Sequence, residues 1–86
     1  MTYHISIERS AQKAVARISE PAQTRIIAAI RLLAESPRPP GTKKLTGRDA
    51  WRIRVGDYRV IYEISDRQLV ILVVSVGHRR DIYRQQ

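Results

Sequence analysis

Four arginines and a tyrosine in the C-terminal half of the chain have the types and spacing to do chemistry on a polyanion. Arg52 and Arg54 alternate with Ile53 and Val55, Arg59 lies in Gly56-Asp57-Tyr58-Arg59-Val60, and Arg79 and Tyr83 follow the apolar run Leu69-Val70-Ile71-Leu72-Val73-Val74-Ser75-Val76. Residues two apart on a strand point to the same side, so Arg52 and Arg54 share a face. A guanidinium matches phosphate oxygens two at a time and keeps its charge at every accessible pH. A tyrosine ring can stack a splayed base, as single-stranded RNA recognition often demands. His78 has the side chain suited to moving protons near neutrality. Each residue also has a plainer reading. Arg52 and Arg54 serve equally as the solvated face of a hairpin, Arg59 as an ion-pair partner of Glu63 or Asp57, Tyr83 as a plug of the core, and His78 as an incidental residue after Gly77.

What is missing narrows the chemistry. With no cysteine there is no disulfide, thiolate metal site or cysteine nucleophile, and two isolated histidines, His4 and His78, cannot by themselves make a zinc site. The sequence suggests no Ser/His/Asp set, and no acidic pair or cluster is placed for Mg²⁺. Phosphodiester cleavage on this face is therefore expected to be metal-free and to need no cofactor. It would require an RNA 2′-hydroxyl as nucleophile, arginines to stabilise a phosphorane-like transition state, and a group to move protons.

Charge points the same way. Sixteen Lys and Arg against eight Asp and Glu give a formal charge of +8 over 86 residues. Residues 43–86 hold ten of the basic and five of the acidic residues, a local +5. Such a balance favours nucleic acid, acidic protein or membrane-surface partners. No stretch reaches the roughly 18 apolar residues of a membrane span, and the N-terminus lacks the pattern of a signal peptide. The expectation is a cytoplasmic protein of one domain, 1–86, whose small core buries about 60–65% of the unfolded surface.

The elements that must position these residues can be read from period. Tyr3 to Ile7 alternates as a strand, with His4 on its polar side. Ser10 is a plausible N-cap for a helix to about Ile18, with Ala11, Ala14, Val15 and Ile18 at helical spacing. Pro21 suits the first turn of a second helix running to about Ser36, with Ile26, Ile27, Ile30, Leu33 and Ala34 as its apolar stripe. Pro37 ends it. A stiff connection to Thr42 leads to a loop carrying Lys43, Lys44 and Arg48, which are either solvated or point charges for phosphates. Trp51–Val55, Tyr58–Ile64 and Leu69–Val76 read as strands joined by Gly56-Asp57 and by Ser65-Asp66-Arg67-Gln68. The order β-α-α-β-β-β predicts an α+β domain, a helical hairpin on one face of a mainly antiparallel sheet, with the other face free for a site.

At this point the sequence resembles the RelE/ParE toxin superfamily of type II toxin–antitoxin systems, nearest to its RelE-type members. The resemblance runs through Glu35-Ser36-Pro37, Lys44-Leu45-Thr46-Gly47, Trp51 to Tyr62, and Val74 to Tyr83. It implies a RelE-like toxin: a ribosome-dependent mRNA endonuclease that cleaves in the ribosomal A site by 2′-hydroxyl attack. Its partners would be mRNA, the ribosome and a cognate antitoxin that silences it, with no membrane or small-molecule cofactor. The family's catalytic pattern falls on Arg52, Arg54, Arg59, Arg79 and Tyr83. Well-known members carry lysines, candidate general bases, where Arg52 and Arg54 stand, and arginine is a poor base. His78 is the substitute candidate. Lys43, Lys44, Arg48 and Arg80 are the expected RNA-binding residues around that set. The chain stops at Gln86, without the C-terminal helix of some members, which would leave that end of the sheet open or for the antitoxin to cover. Two other functions share the fold: a ParE-like inhibitor of DNA gyrase, which needs no arginine set, and an inactive relative serving as a repressor partner.

Overall fold

Residues 2–80 are described in the computed structural model of the chain. The elements are β1 (His4–Ile7), α1 (Arg9–Ala16), α2 (Ala22–Leu32), β2 (Lys43–Lys44), β3 (Trp51–Val55), β4 (Tyr58–Ser65) and β5 (Val70–His78). The strands form one sheet in the order β1-β5-β4-β3-β2. Only the outer β1 runs parallel to its neighbour, β5; the other three pairings are antiparallel. This is the α+β architecture expected from the sequence, with both helices packed over one face.

That face holds the main core. Ala11 from α1 and Ile26, Ile30 and Leu33 from the α2 region meet Ile53, Val60, Tyr62, Ile71, Val73 and Val76 from the sheet. β5 has lost its alternation for a specific reason. Ile61 pairs with Ser75 while Tyr62 pairs with Val73, so Val74 is the extra residue of a bulge. The bulge resets the pleat, which lets Val73 and Val76, three apart, both face the helices. The opposite face is not bare either. Ala50 and Ile61 are buried there with Leu45 and Val74 packed against them, under a loop closed by the Leu45 N–H donating to the Ala50 carbonyl at 2.9 Å.

Several boundaries differ from expectation. Ser10 is not the cap of α1. The helix starts at Arg9 after Glu8, whose own N–H donates to the Val73 carbonyl at 2.9 Å, so the sheet fixes where the helix begins. Both helices end early because their last turns tighten. The amides of Arg17 and Ile18, and of Leu33, Ala34 and Glu35, bond carbonyls three residues back. Leu33 is nevertheless fully buried, so the apolar stripe outlasts the helix. Lys43 and Lys44, expected in a loop, form the fifth strand, pairing Lys43 with Arg52 and Lys44 with Trp51. β5 runs on to His78 because Gly77 and His78 find partners in Arg59 and Tyr58.

The β3–β4 turn sets the register of the arginines. Gly56 has φ +60°, and as the first central residue of a two-residue loop this makes a type II′ turn. A Cβ on Gly56 would meet no atom within 4 Å. Gly56→Ala should therefore cost about 1–2 kcal/mol through backbone strain alone, measurable as a lower urea midpoint with an unchanged m-value.

Candidate functional site

The open face of β3, β4 and β5 carries a cationic site built by register. Lys43 stands opposite Arg52, and Arg52 opposite Ile61. One row further on, Arg54 stands opposite Arg59, and Arg59 opposite Gly77. Val55 and Tyr58 close the two-residue turn as a hydrogen-bonded pair, so Arg54 and Arg59 form the next, non-hydrogen-bonded pair, in which side chains lie closest. Like charges placed this way repel. Gly77 adds no side chain to this row.

Arg59 is the exceptional member. Only 6% of it is exposed, and its Nε and Nη1 are buried with no hydrogen-bond partner among the described residues. A buried donor without an acceptor costs free energy, more so on a charged group. Neither Glu63 nor Asp57 pairs with it: among the described residues the ion pairs are Arg38–Asp66 at 2.9 Å and Lys44–Asp49 at 3.7 Å. The plainer reading of Arg59 as half of a structural ion pair therefore finds no support. Arg52 is half-buried and Arg54 exposed. Beside this row a groove of about 630 Å³ runs along the outer edge of β3, with Lys43, Arg52 and Arg54 on one side and Ala29, Leu32 and Pro39 on the other.

The remaining expected residues divide. Arg79 follows β5 directly, and its N–H donates to the Asp57 carbonyl at 2.8 Å, which ties the strand end to the β3–β4 turn next to Arg54 and Arg59. Arg80 is exposed beside it, and Arg48 is exposed in the loop that covers Ile61. Lys44 is not on the arginine face: it pairs with Trp51, which packs on the helix side, and its ammonium lies 5.8 Å from that ring. His78 is set apart too. It shares the side of Val76, its ring meets Tyr58 edge-on at 5.7 Å, and its Nδ1 accepts the Arg80 N–H at 3.3 Å. Alternation alone could have shown this, since Gly77 opposes Arg59 and its neighbour must face the other way. Tyr83 lies outside the described residues. Among the described residues no three His, Cys, Asp or Glu side chains are grouped to hold a metal ion, and no helix is long and apolar enough to cross a membrane.

A second network, which no local pattern announces, lies at the Trp51 end of β3. Asp66 accepts from Arg38 through both carboxylate oxygens, at 2.9 and 3.4 Å, and from the Tyr3 hydroxyl at 2.6 Å. The Arg38 hydrogen bond, then that of Tyr3, holds the Asp66 carboxyl below the ordinary carboxylate value. Tyr3 is raised, first by donating to Asp66. Asp66 thus contributes stability that is complete above its unfolded pKa and drains away as pH falls through the lowered folded one. Tyr3 contributes stability that is present below the ordinary tyrosine value of 10.0 and lost as pH rises through its raised one. Both limbs are shallow because these groups are solvated. In denaturant titrations across pH, Asp66→Asn should flatten the acid limb and weaken the alkaline one. The alkaline share of Tyr62, raised by burial, remains.

A two-helix layer on a five-stranded sheet is also the fold of solved RelE toxins. In an archaeal RelE–RelB complex from Pyrococcus horikoshii, one chain superimposes with TM-score 0.83 at 30% identity, covering 94% of this chain and 99% of that one. The mRNA interferase toxin RelE of Escherichia coli is 26% identical over 81 residues, 92% of this chain and 85% of its own. A YoeB/ParE toxin from Agrobacterium tumefaciens shares the fold at TM-score 0.75 and 18% identity, over 87% of this chain and 96% of that one. The family model for the ParE toxin of type II toxin–antitoxin systems matches residues 5–83. The chain belongs to that toxin family, within the RelE/ParE superfamily.

Proposed function

We propose that this toxin is an endoribonuclease that cuts mRNA in the A site of the ribosome and is neutralised by a cognate antitoxin. The observation that carries the reading is Arg59, a buried guanidinium with two nitrogens unpartnered among the described residues and Arg54 directly across from it. Such a group is stabilised when a phosphate supplies the missing acceptors, and most strongly when that phosphate gains charge. The relatives support the reading: one is an mRNA interferase, and another was solved bound to RelB.

In the proposed reaction the 2′-oxygen attacks the adjacent phosphorus as its proton leaves to water. The bond to the 5′-oxygen breaks and that oxygen takes up a proton, leaving a 2′,3′-cyclic phosphate and a 5′-hydroxyl. Arg59 and Arg54 bind the non-bridging oxygens as charge builds, Arg52 and Lys43 hold the neighbouring backbone, and Arg79 lies at the strand end beside them. With His78 on the helix side and His4 on the outer strand β1 opposite Val70, no histidine stands in this row, and charge stabilisation does most of the work. Tyr83 remains the proposed base stacker.

The fold also admits inhibition of DNA gyrase, which the ParE description of the family model favours. Induced expression separates the two. The RNA reading expects growth arrest with new transcript ends inside translated codons, and cleavage in vitro of mRNA bound to programmed ribosomes. Arrest with intact transcripts and blocked gyrase supercoiling would establish the other.

A further inference from the structure

We propose that Arg38 is a positioning residue that sets Lys43 opposite Arg52, an inference that rests on the RNA-cleaving reading of the site. β2 is two residues long and makes two pairings, Lys43 with Arg52 and Lys44 with Trp51. A ladder that short, at the edge of a sheet, does not hold its own register. The segment before it carries Pro37, Pro39 and Pro40, with φ locked at each, so its course is set by where it is anchored.

The anchors lie at its start. The Tyr62 hydroxyl donates to the Pro37 carbonyl at 2.7 Å. Arg38 is gripped by Asp66 through two hydrogen bonds, and Asp66 is braced by Tyr3. The Arg38 guanidinium carbon sits 4.8 Å from the centre of the Trp51 ring, and the Lys44 ammonium 5.8 Å from the same ring. One indole therefore touches both ends of the connection, Arg38 where it begins and Lys44 where it becomes β2. Trp51 also precedes Arg52 in the chain. Fixing Lys44 against Trp51 fixes Lys43 against Arg52 on the opposite side of the sheet, where the phosphates would bind. Because Asp66 neutralises Arg38, its contribution is geometry rather than charge.

The test uses the full chain with programmed ribosomes and a translated mRNA. Arg38→Ala and Asp66→Asn should each raise KM on the order of tenfold with kcat within about twofold, and lower the salt slope of binding by about one, as Lys43→Ala does. Adding Arg38→Ala to Lys43→Ala should change little further, because both remove one contact. The sign for Asp66→Asn is decisive. It makes the protein more positive, so bulk electrostatics calls for tighter binding, whereas loss of positioning calls for weaker. Tighter or unchanged binding by Asp66→Asn, or additive effects of Arg38 and Lys43, overturns the proposal. Hydrogen exchange on the free protein keeps it separate from the reading it rests on. The Lys43 amide, which faces Arg52 in the hydrogen-bonded pair of the β2–β3 ladder, should exchange faster in Arg38→Ala even if the wild type cuts no RNA, and unchanged exchange counts against the role of Arg38.

Discussion

Arg59→Ala is expected to lower cleavage of ribosome-bound mRNA by about 10²–10³-fold while leaving the fold as stable as the wild type, or more so. The loss of rate is the usual consequence of removing one donor that stabilises developing transition-state charge. The stability result is what distinguishes a functional arginine from a structural one. In the folded chain, Arg59 is 6% exposed, two of its nitrogens are unpartnered among the described residues, and Arg54 faces it across the hairpin. Deleting the guanidinium removes a desolvated charge and a like-charge contact together. Against this stands only the lost packing of its aliphatic stem. Arg59→Met, which keeps that stem, should be the most stable of the set. Arg59→Lys keeps a charge but loses the planar, two-pronged donor, so it should recover little activity. Melting curves beside single-turnover cleavage rates check all three. A fall in Tm that tracks the fall in rate would make Arg59 a structural residue.

Tyr62→Ala should abolish function by the opposite route. Tyr62 is fully buried at the centre of the main core, and its hydroxyl donates to the Pro37 carbonyl. Truncating an aromatic side chain in such a place costs about 3–5 kcal/mol, a large share of the roughly 5–15 kcal/mol that holds a domain together. At about 4–8 °C per kcal/mol for a domain of this size, Tm should fall by at least ~12 °C. Tyr62→Phe keeps the ring and loses one hydrogen bond, at about 0.5–1.5 kcal/mol; its kcat should stay close to the wild type, with KM rising in the same sense as in Arg38→Ala because that bond also anchors the segment before β2. Calorimetry of the three proteins settles the order. The contrast with Arg59→Ala is between a chain that loses activity by losing stability and one that stays folded and loses rate.

How much of this was legible beforehand depends on which interactions are local. Period 2 in Trp51–Val55 and Tyr58–Ile64 located the hairpin and put Arg52, Arg54 and Arg59 on one face, because alternation and a Gly-Asp turn are properties of neighbouring residues. The apolar stripe through Ile26, Ile30 and Leu33 was equally local. What was missed depends on distant partners. The start of α1 is set by a bond from Glu8 to β5, and Lys43-Lys44 becomes a strand only because Trp51 and Arg52 lie beside it. The Val74 bulge, which lets an unbroken apolar run serve both faces, answers to β4. The grip of Asp66 on Arg38 and Tyr3 spans 28 and 63 residues of sequence and left no trace in composition. At the site, the plainer reading of Arg59 as an ion-pair partner of Glu63 or Asp57 meets no partner at all among the described residues. That absence, more than the count of cations, is what the proposed phosphate contact rests on.

The most direct test of the central claim is the chemistry of the ends left on a translated mRNA by the wild type and by Arg59→Ala. Cleavage through Arg59 predicts cuts within codons positioned in the A site, a 2′,3′-cyclic phosphate upstream and a 5′-hydroxyl downstream, with both reduced by about 10²–10³-fold in the variant. Ends bearing a 3′-hydroxyl and a 5′-phosphate, or cuts that persist at full rate in Arg59→Ala, would contradict it.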